Sequence, residues 1–454
     1  MVKAYILVAG VAVLNIFGLT VAAQSSTEHC AGMVFRETPY ANLRCARPLS
    51  GSQIANIKHF ELDYDGHGRL SEMRYVQAGK LRAYSDRFVR APRITIHYAS
   101  DQDDGNQEIR HFYNEWGTRT LVSGDVYEAR FQLDDRNRRE SLVFYGLDGE
   151  PVNNDFGIAR YAWTTLDDGE VIEHRYNTEG KLVRNRPGFG YMVTRFAYDA
   201  NGLLTRMYNL GSAGQQLTPD EAGIAMTQIG YDLHGQFIQW LNLDMNNRPK
   251  RGMSDLAEIV YQPSRFNGEQ IAIFNDADGS PQATRWGAHK VVYEFDKYGN
   301  PVNRLHFDTN GQPVNSSSGI GQIRSTWTAD GAYQLSETYF DKDGNPIASK
   351  SSGVHAIITK IGANSRPQSI TFNGMNGNPS VHKGRGYAIE AYEYDDAGRL
   401  IVRKFMNADR TAANHGTWDV ARFEYRYLED GSLDSVDSFA ADGTARKPIW
   451  NPAH

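Results

Sequence analysis

Apolar and polar residues alternate along most of the chain in short runs separated by glycine-bearing turns. Ala421-Arg422-Phe423-Glu424-Tyr425 and Leu400-Ile401-Val402-Arg403-Lys404-Phe405 are typical. A period of two is the pattern of a strand with one face buried, so the chain reads as β-strands from end to end. No helix-rich stretch and no long linker interrupts them.

The turns recur in a fixed order. An aromatic-Asp turn ending in glycine appears at Tyr198-Asp199-Ala200-Asn201-Gly202, Tyr231-Asp232-Leu233-His234-Gly235, Phe295-Asp296-Lys297-Tyr298-Gly299 and Tyr394-Asp395-Asp396-Ala397-Gly398. A second turn, Asp-Gly or Asn-Gly with proline two places on, includes Asn310-Gly311-Gln312-Pro313 and Asp343-Gly344-Asn345-Pro346. A third landmark is a glycine before a small or apolar pair, as at Gly157, Gly190 and Gly223. Three glycine series share a spacing of 33 residues, shown by Gly169, Gly202 and Gly235 and by Gly311, Gly344 and Gly377.

Each unit therefore predicts a hairpin, a short third stretch limited by its proline, and a glycine-bearing return. The expected fold is all-β: an elongated or spiral array of about twelve hairpin or meander repeats of roughly 33 residues, stacked to bury a shared face. The array runs over residues 60–454, with degenerate units at 101–135 and 251–268 and a C-terminal cap around Lys447-Pro448-Ile449-Trp450. A closed propeller is the rival, although the unit is short for a four-stranded blade.

The segment Tyr394-Asp395-Asp396-Ala397-Gly398-Arg399-Leu400 resembles the YD-repeat consensus of the RHS/YD-repeat family. Asp65 to Leu70 and Tyr198 to Leu204 are similar to it. The resemblance implies hairpins joined in extended or spiral sheets on exported proteins, some of which enclose a toxin or bind carbohydrate. The period here is longer than the usual YD unit, and neither a self-cleavage core nor an effector domain after Trp450 is recognisable.

The start of the chain changes the picture of where it works. Lys3 precedes an apolar run from Ala4 to Ala22 that ends in small residues, so residues 1–23 read as a secretory signal peptide cleaved after Ala23. Retained, a run of about 19 residues could instead anchor the chain in a bilayer. Residues 24–59 form a leader or cap. Its Cys30 and Cys45 are the only cysteines, and export makes a disulfide the natural reading, two free thiols the alternative. Periplasm, cell surface and exterior are all consistent, and no membrane span is expected once the signal is removed.

Composition excludes more than it identifies. Net charge is −6 with no basic block, against nucleic-acid binding, and the 40% hydrophobic content fits an ordered protein. Asp63 to Arg74 superficially resembles an EF-hand loop, but Arg74 stands where a bidentate Glu is needed. Asn275-Asp276-Ala277-Asp278 and Asp341-Lys342-Asp343 are acidic enough for weak Ca²⁺ binding, yet turn formation explains their acids. Zinc-hydrolase, nucleophile-elbow and Walker patterns are missing. No metal, no cofactor and no catalytic residue is assigned.

Trp116, Trp286 and Trp418 fall in turns or return loops, where a ring could stack on a sugar or peptide; strand aromatics such as Trp163 and Trp327 should pack between units. The expected function is an exported, non-enzymatic binding or scaffolding protein that engages an envelope protein or glycan. Alternatives are carbohydrate recognition through those tryptophans and a glycan-active enzyme with an unrecognised site.

Overall fold

The computed structural model describes residues 26–446, apart from 85, 87, 88, 102–104, 188, 363 and 364. The signal peptide and the C-terminal cap expected from the sequence lie outside the described residues. Among those described, 28 strands form one antiparallel sheet, and the one α-helix is the single turn Ser52–Asn56. No helix among them is long and apolar enough to cross a membrane.

From His59–Tyr64 with Leu70–Gln77 to Arg422–Tyr427 with Leu433–Phe439, twelve hairpins follow in chain order among the described residues, each paired with the next. The array is therefore an open meander, not a propeller of separate blades. The stretch expected to be degenerate near 251–268 holds a regular hairpin, Glu258–Pro263 with Glu269–Asn275. The proline after the second turn makes a single bridge, as in Asn275↔Pro281, Phe307↔Pro313 and Phe340↔Pro346. Leu182 and Ala412 make the same single bridge at this place, with Tyr176 and Met406, so the short third stretch belongs to the unit and not to its proline.

The aromatic-Asp turn has a specific physical content. Asp199 Oδ1 accepts the backbone N–H groups of Asn201 at 2.9 Å and Leu203 at 2.8 Å, and Gly202 closes the turn at φ 72°. Asp65, Asp232 and Asp296 repeat the arrangement. The ladder slips by one residue at the tyrosine, which swings its ring towards the preceding hairpin. There its hydroxyl donates to the carbonyl that opens the neighbour's second strand: Tyr231 to Leu204 at 3.0 Å, Tyr394 to Pro367 at 2.8 Å, Tyr427 to Leu400 at 2.8 Å. Aspartate shapes the turn and tyrosine fastens one unit to the last.

The sheet also coils on itself. Arg44 donates to Asn201 O, Arg47 N to His234 O at 3.2 Å, Lys58 N to Tyr298 O at 3.1 Å, and Gln77 Nε2 to Asp330 O at 2.9 Å. Further along, the guanidinium of Arg366 lies over the Trp116 ring. The contacts advance together along both stretches, so the turn-bearing edge of the later hairpins rests on the N-terminal segment and the first hairpins.

Residues 26–58 belong to this same sheet: Ser26–Met33 pairs with both Cys45–Pro48 and His59–Tyr64. Cys30 and Cys45 are disulfide-bonded, with Cα atoms 5.4 Å apart. The loop between them crosses the inner face of later hairpins, where Phe35 stacks on Phe237 and Tyr40 packs against Trp163 and Tyr198. Phe60, Leu62, Met73 and Phe131 are fully buried in the N-terminal core, and Phe372, Phe405 and Phe423 in a C-terminal one. Smaller clusters lie between these cores, around Tyr191, Phe196 and Met207 and around Leu256, Ala272 and Val291, and beside the latter Trp240, Ile259, Tyr261 and Tyr293 stay half-buried.

Candidate functional site

The stretch that carries these half-buried residues is the candidate binding site. Its strands alternate, so one face carries Trp240, then Ile259 and Tyr261, then Ala272 and Phe274, then Val291 and Tyr293, then Arg304 and His306. Register aligns these residues into rows. Trp240 sits opposite Ile259 and Ile259 opposite Phe274; Tyr261 faces Ala272, Ala272 faces Val291, and Val291 faces His306. Two small side chains in the middle of a row flanked by aromatics leave a depression that the neighbours cannot fill.

Three hollows result, of about 420, 360 and 220 Å³. All three share Tyr261; Phe237 lines two of them and Glu269 two, so they run together as one groove. The largest is walled by Tyr261, Trp286 and Tyr293, with Glu269, Arg304 and His306 as its charged or titratable groups. The next is walled by Phe189, Phe237 and Trp240, with Arg186 stacked on Phe189. The smallest reaches the leader loop at Phe35.

Polar groups in the groove keep unused capacity. Arg304 Nε and Gln236 Oε1 are buried and bonded to no protein atom, one a donor and the other an acceptor. Arg304 lines the largest hollow and Gln236 the smallest, and each of these atoms can hydrogen-bond to a polar ligand or water there. Burial lowers the pKa of His306, keeping its imidazole neutral near pH 7; its Nδ1–H donates to Ile320 O at 3.0 Å. Burial, with the Glu269 charge, raises the pKa of the Tyr293 hydroxyl, which stays protonated as a donor.

The three loop tryptophans are not brought together. Trp286 is half-buried in the wall of the largest hollow, 5.0 Å from the His306 ring and 6.0 Å from Phe274. Trp116 lies at the seam between coils, edge-on to Tyr394 at 5.9 Å. Trp418 stacks flat on His415 at 3.8 Å beside the C-terminal core. Tyr261 and Trp240 were missed because strand aromatics read as packing from sequence. Their exposure depends on which residues oppose them, and Ala272 and Val291 become informative only once the register is known.

The acidic turns hold their own backbone. Asp341 Oδ1 accepts from the N–H groups of Asp343 and Asn345, as Asp65 does from His67 and Arg69.

No family model and no curated protein matches the chain. Among solved structures, the chain is similar to TcdB2-TccC3-TEV at 11% identity over 88% of its length, with a TM-score of 0.23. It is similar to TcdB2-TccC3-Cdc42 at 13% identity over 86%, with a TM-score of 0.25. The Photorhabdus luminescens Tc holotoxin pore matches at 10% identity over 87%, with a TM-score of 0.20. The chain spans 24%, 21% and 27% of those chains respectively.

Proposed function

We propose that this protein is an exported, non-enzymatic binding scaffold whose coiled sheet holds an envelope partner along the inner groove, and that the bound group is a glycan chain. The observation that carries this reading is the run of three hollows through Tyr261, lined by aromatic faces and holding two unsatisfied polar atoms. Aromatic faces suit the C–H faces of sugar rings, and a few convergent donors and acceptors suit their hydroxyls. The apolar leader and the Cys30–Cys45 disulfide support export.

The test is calorimetric titration of the mature protein, from Gln24 onward, with soluble envelope glycan fragments. Binding should weaken roughly tenfold or more in Tyr261→Ala and Trp286→Ala, as for loss of a central aromatic contact. Trp116→Ala and Trp418→Ala, which lie elsewhere, should leave it unchanged. Binding indifferent to Tyr261 and Trp286, or no glycan bound at all, contradicts the proposal.

A further inference from the structure

We infer that His29, His59 and Glu61 form a binding site for one divalent transition-metal cation of the zinc type, clamping the leader strand to the first hairpin. The site lies outside the groove and does not depend on the function proposed above.

Strand geometry assembles it. His59 and Glu61 are two apart on one strand and so share a face, away from Phe60 and Leu62 in the core. His29 sits directly opposite Glu61 on the neighbouring strand. His29 Nδ1 and His59 Nε2 are 3.2 Å apart; Glu61 Oε1 is 3.6 Å from the first and 3.7 Å from the second. The in-plane point equidistant from the three lies about 2.0 Å from each, and a metal lifted off that plane into tetrahedral geometry would lie roughly 2.15 Å from each, within the range of zinc bonds to nitrogen and oxygen.

Two of the three donors are already aimed, and the third, His29 Nδ1, donates to the His59 Nε2 lone pair when no metal is bound and shifts its proton to Nε2 on binding. His59 Nδ1–H donates to the Ile57 carbonyl at 3.0 Å, which places the proton on Nδ1 and turns the Nε2 lone pair towards His29 and Glu61. A carbonyl behind an imidazole is the usual support of a metal-ligating histidine. Arg74 takes the other carboxylate oxygen, Glu61 Oε2, at 3.1 Å, leaving Oε1 to face the histidines. Arg74 is itself shared with Asp63 and Glu72, so carboxylates outnumber the guanidinium around the site. Two imidazoles with one carboxylate favour zinc or a neighbouring transition metal over Ca²⁺ or Mg²⁺, which prefer oxygen.

Exposure differs across the three in a useful way. The His59 side chain is 1% exposed, Glu61 13% and His29 26%. Solvent therefore reaches the site past His29, where a water would supply the fourth ligand. The disulfide at Cys30 adjoins His29 and holds its strand in register whether or not the metal is bound.

The test uses tag-free mature protein, freed of metal by chelator, with its disulfide intact, titrated with Zn²⁺ and with Co²⁺. One Zn²⁺ should bind per chain and raise Tm, since a ligand of the native state alone stabilises it. Co²⁺ should give the visible absorption of a four-coordinate site. His29→Ala, at the most exposed ligand, should weaken binding roughly 100-fold and abolish the rise in Tm that Zn²⁺ gives the wild type. Glu61→Gln should weaken binding with no loss of fold, and His234→Ala, in an exposed turn, should have no effect. Absence of stoichiometric binding at micromolar zinc, or binding unaltered by His29→Ala, would overturn the inference.

Discussion

Gln77 donates its side-chain amide to the backbone carbonyl of Asp330, 253 residues further along the chain, at 2.9 Å. Gln77 is 3% exposed, and its own amide oxygen accepts from Arg82. This bond joins the first hairpin to a turn several units later, so it reports on coiling rather than on any single unit. Gln77→Leu should cost about 1–3 kcal/mol by stranding the Asp330 carbonyl and Arg82. Urea denaturation should show a lower midpoint with an unchanged m-value.

The tyrosine ladder makes a prediction about the repeats themselves. Tyr394→Phe and Tyr427→Phe each remove one bond to the preceding hairpin and leave the ring in place. Each should destabilise by about 1 kcal/mol. Because the two hydroxyls reach different carbonyls in different units, the double variant should show nearly the sum. A single substitution that abolished folding would contradict the view that the ladder is distributed.

Glu108 predicts a pH dependence. Burial pushes its carboxyl pKa up, but Arg110 and Arg139 more than offset this and hold it at about 2. The unfolded value is about 4.3, so the contribution is fully present above that value and lost as pH falls through about 2. Glu108→Gln should cost about 3–5 kcal/mol at pH 7, since two buried guanidinium groups lose their carboxylate. Urea midpoints of the wild type and variant should converge as pH drops from 5 towards 2, a difference in which other carboxylates cancel.

The repeat was legible because its punctuation is chemical. Gly202 needs positive φ and Asp199 must bond its own turn, so each leaves a mark in one dimension. The disulfide was legible because Cys30 and Cys45 have no competitors. Coiling was not, since nothing in the residues around Gln77 or Asp330 names the other. The groove was hidden for the same reason: Tyr261, Ala272 and Val291 mean little until register sets them side by side. His29, His59 and Glu61 escaped a search along the chain because their proximity comes from strand pairing, not from a motif.

Coiling lays the N-terminal segment across the later hairpins and closes the smallest hollow of the groove, and a distance across the seam reports it. Spin labels at Ala55→Cys and Lys297→Cys, beside the Lys58–Tyr298 backbone bond, are suited to pulsed electron double resonance with the native disulfide intact. The coiled sheet predicts a narrow distribution near roughly 20 Å, set by the label arms rather than by the strands between them. An uncoiled array would separate the labels by roughly 65 Å, because fourteen strand-to-strand steps of about 4.8 Å lie between them, and a distribution centred there would contradict the account.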